Sequence, residues 1–186
     1  MIRTLGLVFV IWIILMALTF GDQQVFAKEL MTTKDFLKKE LSSSAKMTKE
    51  TFPLAAAELN SLKSIAPDSD DQSITFYYGK QADGKLDKAC TILPQKGKEG
   101  PIIAGVCFSP SGLIASVTIL QHQEERGMGI EEQSFLKQFN GKKVSDGFVL
   151  GQDVNGISGA TWSSKAMAEV TRKASFAFKT FVGEKK

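Results

Sequence analysis

The residues with the most scope for chemistry lie near the C-terminus, in the run Asn155-Gly156-Ile157-Ser158-Gly159-Ala160-Thr161-Trp162-Ser163-Ser164. Two glycines let the backbone turn sharply and approach a ligand closely, and the hydroxyl-bearing residues suit a helix start, with Ser163 and Ser164 expected as caps. The first amides of a helix have no internal partners, and the helix dipole favours an anion in front of them. A phosphate esterified to, or resting against, Thr161 is the chemistry this run suits; its alternative is a plain turn and cap. Trp162 reads either as an aromatic wall for a ligand or as a core side chain at a strand-helix junction.

A second stretch, Leu120-Gln121-His122-Gln123-Glu124-Glu125-Arg126-Gly127-Met128-Gly129, holds the only histidine. One histidine and no CxxC pair give no metal-ligand pattern. A serine hydrolase would need a GxSxG elbow and a nicotinamide enzyme a GxGxxG opening a βαβ unit, and neither is present.

In order and spacing, Ser158-Gly159-Ala160-Thr161-Trp162-Ser163, the Leu120–Gly129 loop, Gly100-Pro101-Ile102 and Pro110-Ser111-Gly112 together resemble the FMN-binding domain family. That family includes the G subunit of the Rnf complex and the C subunit of the sodium-translocating NADH:quinone reductase. The resemblance runs over about residues 75 to 180, and two motifs in the right order are more specific than either alone. It implies FMN as cofactor, joined through its phosphate to Thr161 by a phosphoester bond that a separate flavin transferase makes. It also implies that Ser158, Gly159, Ala160, Trp162 and Ser163 surround that link, and that His122, Glu124, Gly127 and Gly129 border the ring or ribityl chain. Asn155 stands where the family usually has an aspartate that the transferase recognises, with Asp153 two residues too early, and Glu125-Arg126 replaces Thr-Pro.

The elements that must position these residues follow from periodicity. Helix is expected over Met31–Leu41 and from about Lys49 to Ile65, with Pro53 in a first turn, and a loop at 66–71. Short β-rich runs follow at Ser73–Tyr78, Leu86–Leu93, Ile102–Phe108 and Leu113–Leu120, with turns at Asp83-Gly84 and Ser109–Gly112. Tight connections between successive runs predict an antiparallel meander. Ile130–Phe139 reads as a helix, Phe148–Leu150 as a strand and Ser163–Phe181 as a closing amphipathic helix. The expected fold class is α+β, an antiparallel meander sheet flanked by helices, divided as 1–27 signal peptide or membrane anchor, 28–72 helical N-terminal segment and 73–186 FMN-binding domain. Cys90 and Cys107 straddle the connection between the second and third runs, so a simple hairpin opposes them and allows a disulfide, whereas a one-residue slip leaves two buried thiols on different faces.

The N-terminus reads Met1-Ile2-Arg3-Thr4, then an apolar run from Leu5 to Phe20, then a polar stretch ending Val25-Phe26-Ala27. That is a secretory layout, and the base before the run directs the remainder outward; cleavage after Ala27 and retention as an anchor both stay open. The formal charge of +3 survives loss of residues 1–27, which hold one base, Arg3, and one acid, Asp22. Such a charge is too mild for a nucleic-acid footprint.

These readings converge on an exported flavoprotein at the periplasmic or extracytoplasmic face of the membrane. It would pass electrons between redox partner proteins and be an electron-transfer component rather than a stand-alone catalyst. The competing readings are a subunit of an Rnf-type membrane complex, a small reductase holding FMN non-covalently, and an exported binding module without cofactor.

Overall fold

The computed structural model describes residues 27–183. The expected signal or anchor segment falls almost wholly outside them, and among the described residues no helix is long and apolar enough to cross a membrane. The centre is one antiparallel six-stranded sheet in the order β1-β6-β5-β4-β3-β2. Its strands are β1 (Lys28–Glu29), β2 (Lys46–Pro53), β3 (Ser73–Lys80), β4 (Leu86–Lys96), β5 (Pro101–Phe108) and β6 (Ile114–His122). Strands β2 to β6 are the meander; β1 returns to pair beyond β6, with Lys28 opposite His122.

Helix α1 (Thr33–Leu41) is started by Thr32, whose hydroxyl accepts from the Asp35 amide at 3.1 Å, and it carries Lys38 and Lys39 in its last turn. Each end therefore complements the helix dipole. Its Phe36 lies flat against β5 at Gly105, where a Cβ would come within 2.3 Å of the ring, so only glycine admits the helix this close. Phe36 and Leu41 bury a small cluster with Leu120, Cys90 and Cys107 on that face. Cys90 and Cys107 are directly opposed in the β4–β5 ladder and disulfide-bonded, with Cα atoms 4.0 Å apart. A bridge closing a loop of this length contributes about 3 kcal/mol.

The helix expected from Lys49 is corrected by the structure. Residues up to Pro53 are strand, paired with β3 from Lys46–Lys80 to Pro53–Ser73, and helix α2 begins only at Ala56 and ends at Ile65. The β-formers Thr48, Thr51 and Phe52 favour the strand, and Pro53 keeps the residue before it out of the helical region. Segment 28–72 thus supplies both edge strands as well as helices. The expected Pro94–Pro101 connection also shortens to four residues, because β4 runs on through Pro94 to Lys96. Pairing of β4 with β3 ends at Thr91, so Pro94 has a strand on one side only and its missing N–H costs little.

Two further expectations change. Ile130–Phe139 is broken into a 3-10 turn (Met128–Glu131), a single α turn, α3 (Gln133–Leu136), and another 3-10 turn (Lys137–Phe139), because Glu132 is extended. Phe148–Leu150 is no strand: the Asp153 carboxylate takes the Phe148 and Val149 amides, and Leu150 makes an isolated bridge to Val154. The closing helix α4 (Thr161–Phe181) starts two residues earlier than expected and packs its apolar stripe, including Met167, Val170, Ala174 and Phe178, on the sheet face opposite α1.

A buried ammonium fastens α4 in place. Lys173, 1 % exposed, donates to Asp71 at 2.5 Å and to the Pro94 carbonyl at 2.6 Å, tying the helix to the loop after α2 and to β4. Breaking a buried pair by removing one partner strands the other charge at roughly 3–5 kcal/mol, whereas replacing both partners by apolar residues of similar volume is tolerated far better. Asp71→Ala is therefore expected to destabilise by roughly 3 kcal/mol or more and the double variant Asp71→Leu/Lys173→Met by clearly less, both read from denaturant midpoints at unchanged slope.

Candidate functional site

Three segments converge at one end of the sheet: the β4–β5 hairpin tip (97–100), the loop leaving β6 (123–127) and the start of α4. Glu124 joins them. Its side chain is buried; one carboxylate oxygen accepts from the Lys98 and Glu99 amides, each at 2.9 Å, and the other accepts from the Ser163 hydroxyl. The Glu99 carboxylate in turn accepts from the Glu125 amide. Packing is close enough to fix glycine at two points. A Cβ on Gly97 would stand 2.4 Å from the Glu124 carboxylate, and one on Gly127 would stand 2.2 Å from the Ser163 oxygen.

Helix α4 begins at Thr161 without a side-chain cap, since Ala160 occupies the N-cap position. Neither Ser163 nor Ser164 caps it, contrary to expectation, because their hydroxyls serve neighbouring segments. Ser163 donates to Glu124, and the Ser164 oxygen accepts from the Ile157 amide at 3.0 Å. The Ser164 amide reaches back to the Ala160 carbonyl at 3.0 Å, while the amides of Thr161, Trp162 and Ser163 make no hydrogen bond among the described residues. Gly159, at φ +78°, makes the turn that exposes them. They border a groove of about 210 Å³ lined by Lys98, Glu99, Glu124, Arg126 and Gly127 on one side and by residues 159–163 on the other.

The arrangement suits an anion. Three free amides at the positive end of a 21-residue helix face a groove edged by Lys98 and Arg126. Glu124 does not oppose this, because its oxygens are already engaged by two N–H groups and one O–H. At about 210 Å³ the groove is below the roughly 300–1,000 Å³ that engulfs a whole drug-sized ligand, so it fits a phosphate end and leaves a flavin ring outside. Trp162 is 61 % exposed, which removes the core-packing alternative, and Lys165 lies 5.7 Å from its ring centre.

Thr161, Gly159, Ala160, Trp162, Ser163, Glu124 and Gly127 are thus brought to one groove. Ser158 is exposed outside it. Gly129 packs beside Ile157 and lines a neighbouring hollow of about 260 Å³ with Asn155 and Gly156. The Asn155 backbone is held there by the Gln138 amide, 2.7 Å from its N–H. His122 lies behind the loop, 1 % exposed, and does not line the groove; a solvent-facing ring at the strand end is excluded. Lys98, Glu99 and Arg126 were not singled out by sequence reasoning. The one signal for the first two was the glycine bracket Gly97 and Gly100 around them.

The His122 ring connects to a charged pair. Its Nε2 lies 2.7 Å from the Glu131 carboxylate, which also accepts from Lys28 at 2.9 Å. Burial pushes the Glu131 carboxyl up, but the hydrogen bonds from Lys28 and His122 outweigh it and hold the group below its ordinary range. A depressed carboxylate stabilises the fold above its unfolded value, near 4.3, and that contribution disappears as pH falls through the lower folded value. Melting temperatures of wild type and Glu131→Gln should therefore differ at neutral pH and converge as pH drops below about 4.

Residues 97–175, which contain every residue of the groove, match the family model of the FMN-binding domain. The chain is 29 % identical over 117 residues to the G subunit of the proton-translocating ferredoxin:NAD(+) oxidoreductase complex of Clostridium ljungdahlii, covering 59 % of this chain and 63 % of that one. It therefore spans less than two thirds of that relative. Among solved structures, NqrC of Shewanella oneidensis aligns with TM-score 0.56 at 17 % identity, over 83 % of this chain and 89 % of that one. The C subunit of the Na(+)-translocating NADH-quinone reductase of Parabacteroides distasonis aligns with TM-score 0.50 at 19 % identity, over 73 % and 79 %. These two structures share the fold. The match over residues 97–175 to the FMN-binding domain gives FMN as the cofactor.

Proposed function

We propose that this protein is an exported electron carrier that holds FMN at the start of α4, with the phosphate linked to Thr161, and works within a membrane-associated redox chain. The observation that carries this reading is the uncapped helix start: three free amides and an exposed threonine hydroxyl face a groove edged by Lys98 and Arg126, inside the segment that matches the family. The amides and the two cations would hold the phosphate, and the exposed Thr161 hydroxyl would form the phosphoester. Trp162 offers an aromatic face at the rim. FMN, when bound, supplies one- and two-electron chemistry, and the protein supplies position and electrostatics.

The N-terminal apolar run supports export with membrane attachment, and the similarity to components of electron-transport complexes supports redox partner proteins. A place in an Rnf-type complex is the version favoured by the likeness to the G subunit of the Clostridium ljungdahlii complex. Maturation would use a flavin transferase, although Asn155 stands in place of the usual aspartate and its backbone is engaged by Gln138.

The reading predicts yellow protein from the native membrane fraction, with flavin fluorescence that survives denaturing electrophoresis. Thr161→Ala should abolish that fluorescence. It should leave the melting temperature almost unchanged, since an exposed substitution shifts stability by about 0.5 kcal/mol at most. Colour released on denaturation would favour the non-covalent reductase, and colourless protein the cofactor-free module. Intact mass of the same material reports both the flavin adduct and whether the chain begins at Met1 or after Ala27.

A further inference from the structure

We infer that His122 is a positioning residue for the flavin groove: as a neutral imidazole it holds the Glu124 backbone, and through Glu124 the hairpin tip and the start of α4. The inference rests on the flavin reading above.

The ring has a defined partner on each nitrogen. Nδ1 accepts from the Glu124 amide at 3.0 Å, so it carries no proton, and Nε2 therefore bears the hydrogen that meets the Glu131 carboxylate at 2.7 Å. Such a pair of partners fixes both tautomer and ring orientation. Glu131 is itself held by Lys28 at 2.9 and 3.1 Å, on the strand that pairs with β6 at His122. On the other side the Glu124 amide and carboxylate belong to one residue, so the imidazole that sets the amide also sets the carboxylate that binds Lys98, Glu99 and Ser163. The chain of contacts runs from β1 through Glu131 and His122 to Glu124 and the groove wall. No link is exposed at His122 or Glu124, which are 1 % and 2 % accessible, so water cannot replace a lost partner there without repacking.

Two replacements separate the ring's two contacts. The Asn amide oxygen stands near Nδ1 and keeps an acceptor for the Glu124 amide; the Gln amide reaches toward Nε2 and keeps a donor for Glu131 but offers no acceptor at Nδ1. In the cofactor-free full-length protein, amide hydrogen exchange at Glu124 is expected to speed up by about tenfold or more in His122→Gln and to stay within about threefold of wild type in His122→Asn, as the loss of one buried hydrogen bond implies. In flavin-loaded protein the midpoint potential should move away from the wild-type value in His122→Gln and return in His122→Asn, a pattern that general destabilisation would not give. Equal exchange at Glu124 in both variants, or an unmoved potential in His122→Gln, would overturn the inference while leaving the flavin reading intact. Failure of wild-type protein to carry flavin at all would instead remove the flavin reading and this role together, even with the exchange pattern as expected.

Discussion

A buried carboxylate with no ion-pair partner among the described residues organises this end of the molecule. Burying an unpaired charge is expensive, so Glu124 is tenable only because three donors converge on it: two consecutive hairpin amides and a serine hydroxyl from the closing helix. The requirement works in both directions. The hairpin tip must curl so that two N–H groups point inward, Gly97 and Gly127 must lack side chains, and Ser163 must turn away from its own helix. The last of these requirements leaves the first turn of α4 without a cap. An element that in most helices is satisfied locally is here left open toward the groove, inside the segment that matches the FMN-binding domain.

The sheet and its two unlike faces make this possible. On one side α1 closes over the disulfide, with Phe36 pressed onto Gly105; on the other α4 lies along β4 and β5 with Lys173 tied to Asp71 and Pro94. The helix whose first turn borders the groove is thus fixed about two-thirds of the way along by a buried ion pair. Its N-terminus is held by the Ser163–Glu124 and Ile157–Ser164 hydrogen bonds.

Much of this was legible in the residues, and the failures have physical causes. The meander was readable because turns at Asp83-Gly84 and Ser109–Gly112 leave no room for crossovers, whereas the opposed register of Cys90 and Cys107 was one of two the connection allowed, and the strand pairing decided it. The strand β2 was missed because alanines and leucines from Leu54 onward extend a helical pattern backwards past Pro53, while the pairing that makes 46–53 a strand comes from β3, far along the chain. Ser163 and Ser164 looked like caps because local propensity favours that role; tertiary acceptors and donors, Glu124 and the Ile157 amide, took them instead. His122 was expected beside the flavin ring or ribityl chain, and its buried place behind the loop was not legible because nothing in its own neighbourhood announces Glu131 and Lys28, one of them in another strand. The Thr161 run was read through its resemblance, since glycine and serine before a helix specify a phosphate site only weakly by themselves.

The two-residue pairing of β1 with the end of β6 sets where the described residues begin: at the sheet edge, one strand from the loop that walls the groove. Between Phe20, where the apolar run ends, and Lys28 lie only the residues Gly21–Ala27. Even fully stretched, a connector of that size spans about 25 Å. If the apolar run is retained in the membrane, as proposed above, so short a leash lets the domain pivot but not roam, and its redox partners must come to the same small zone of the bilayer surface.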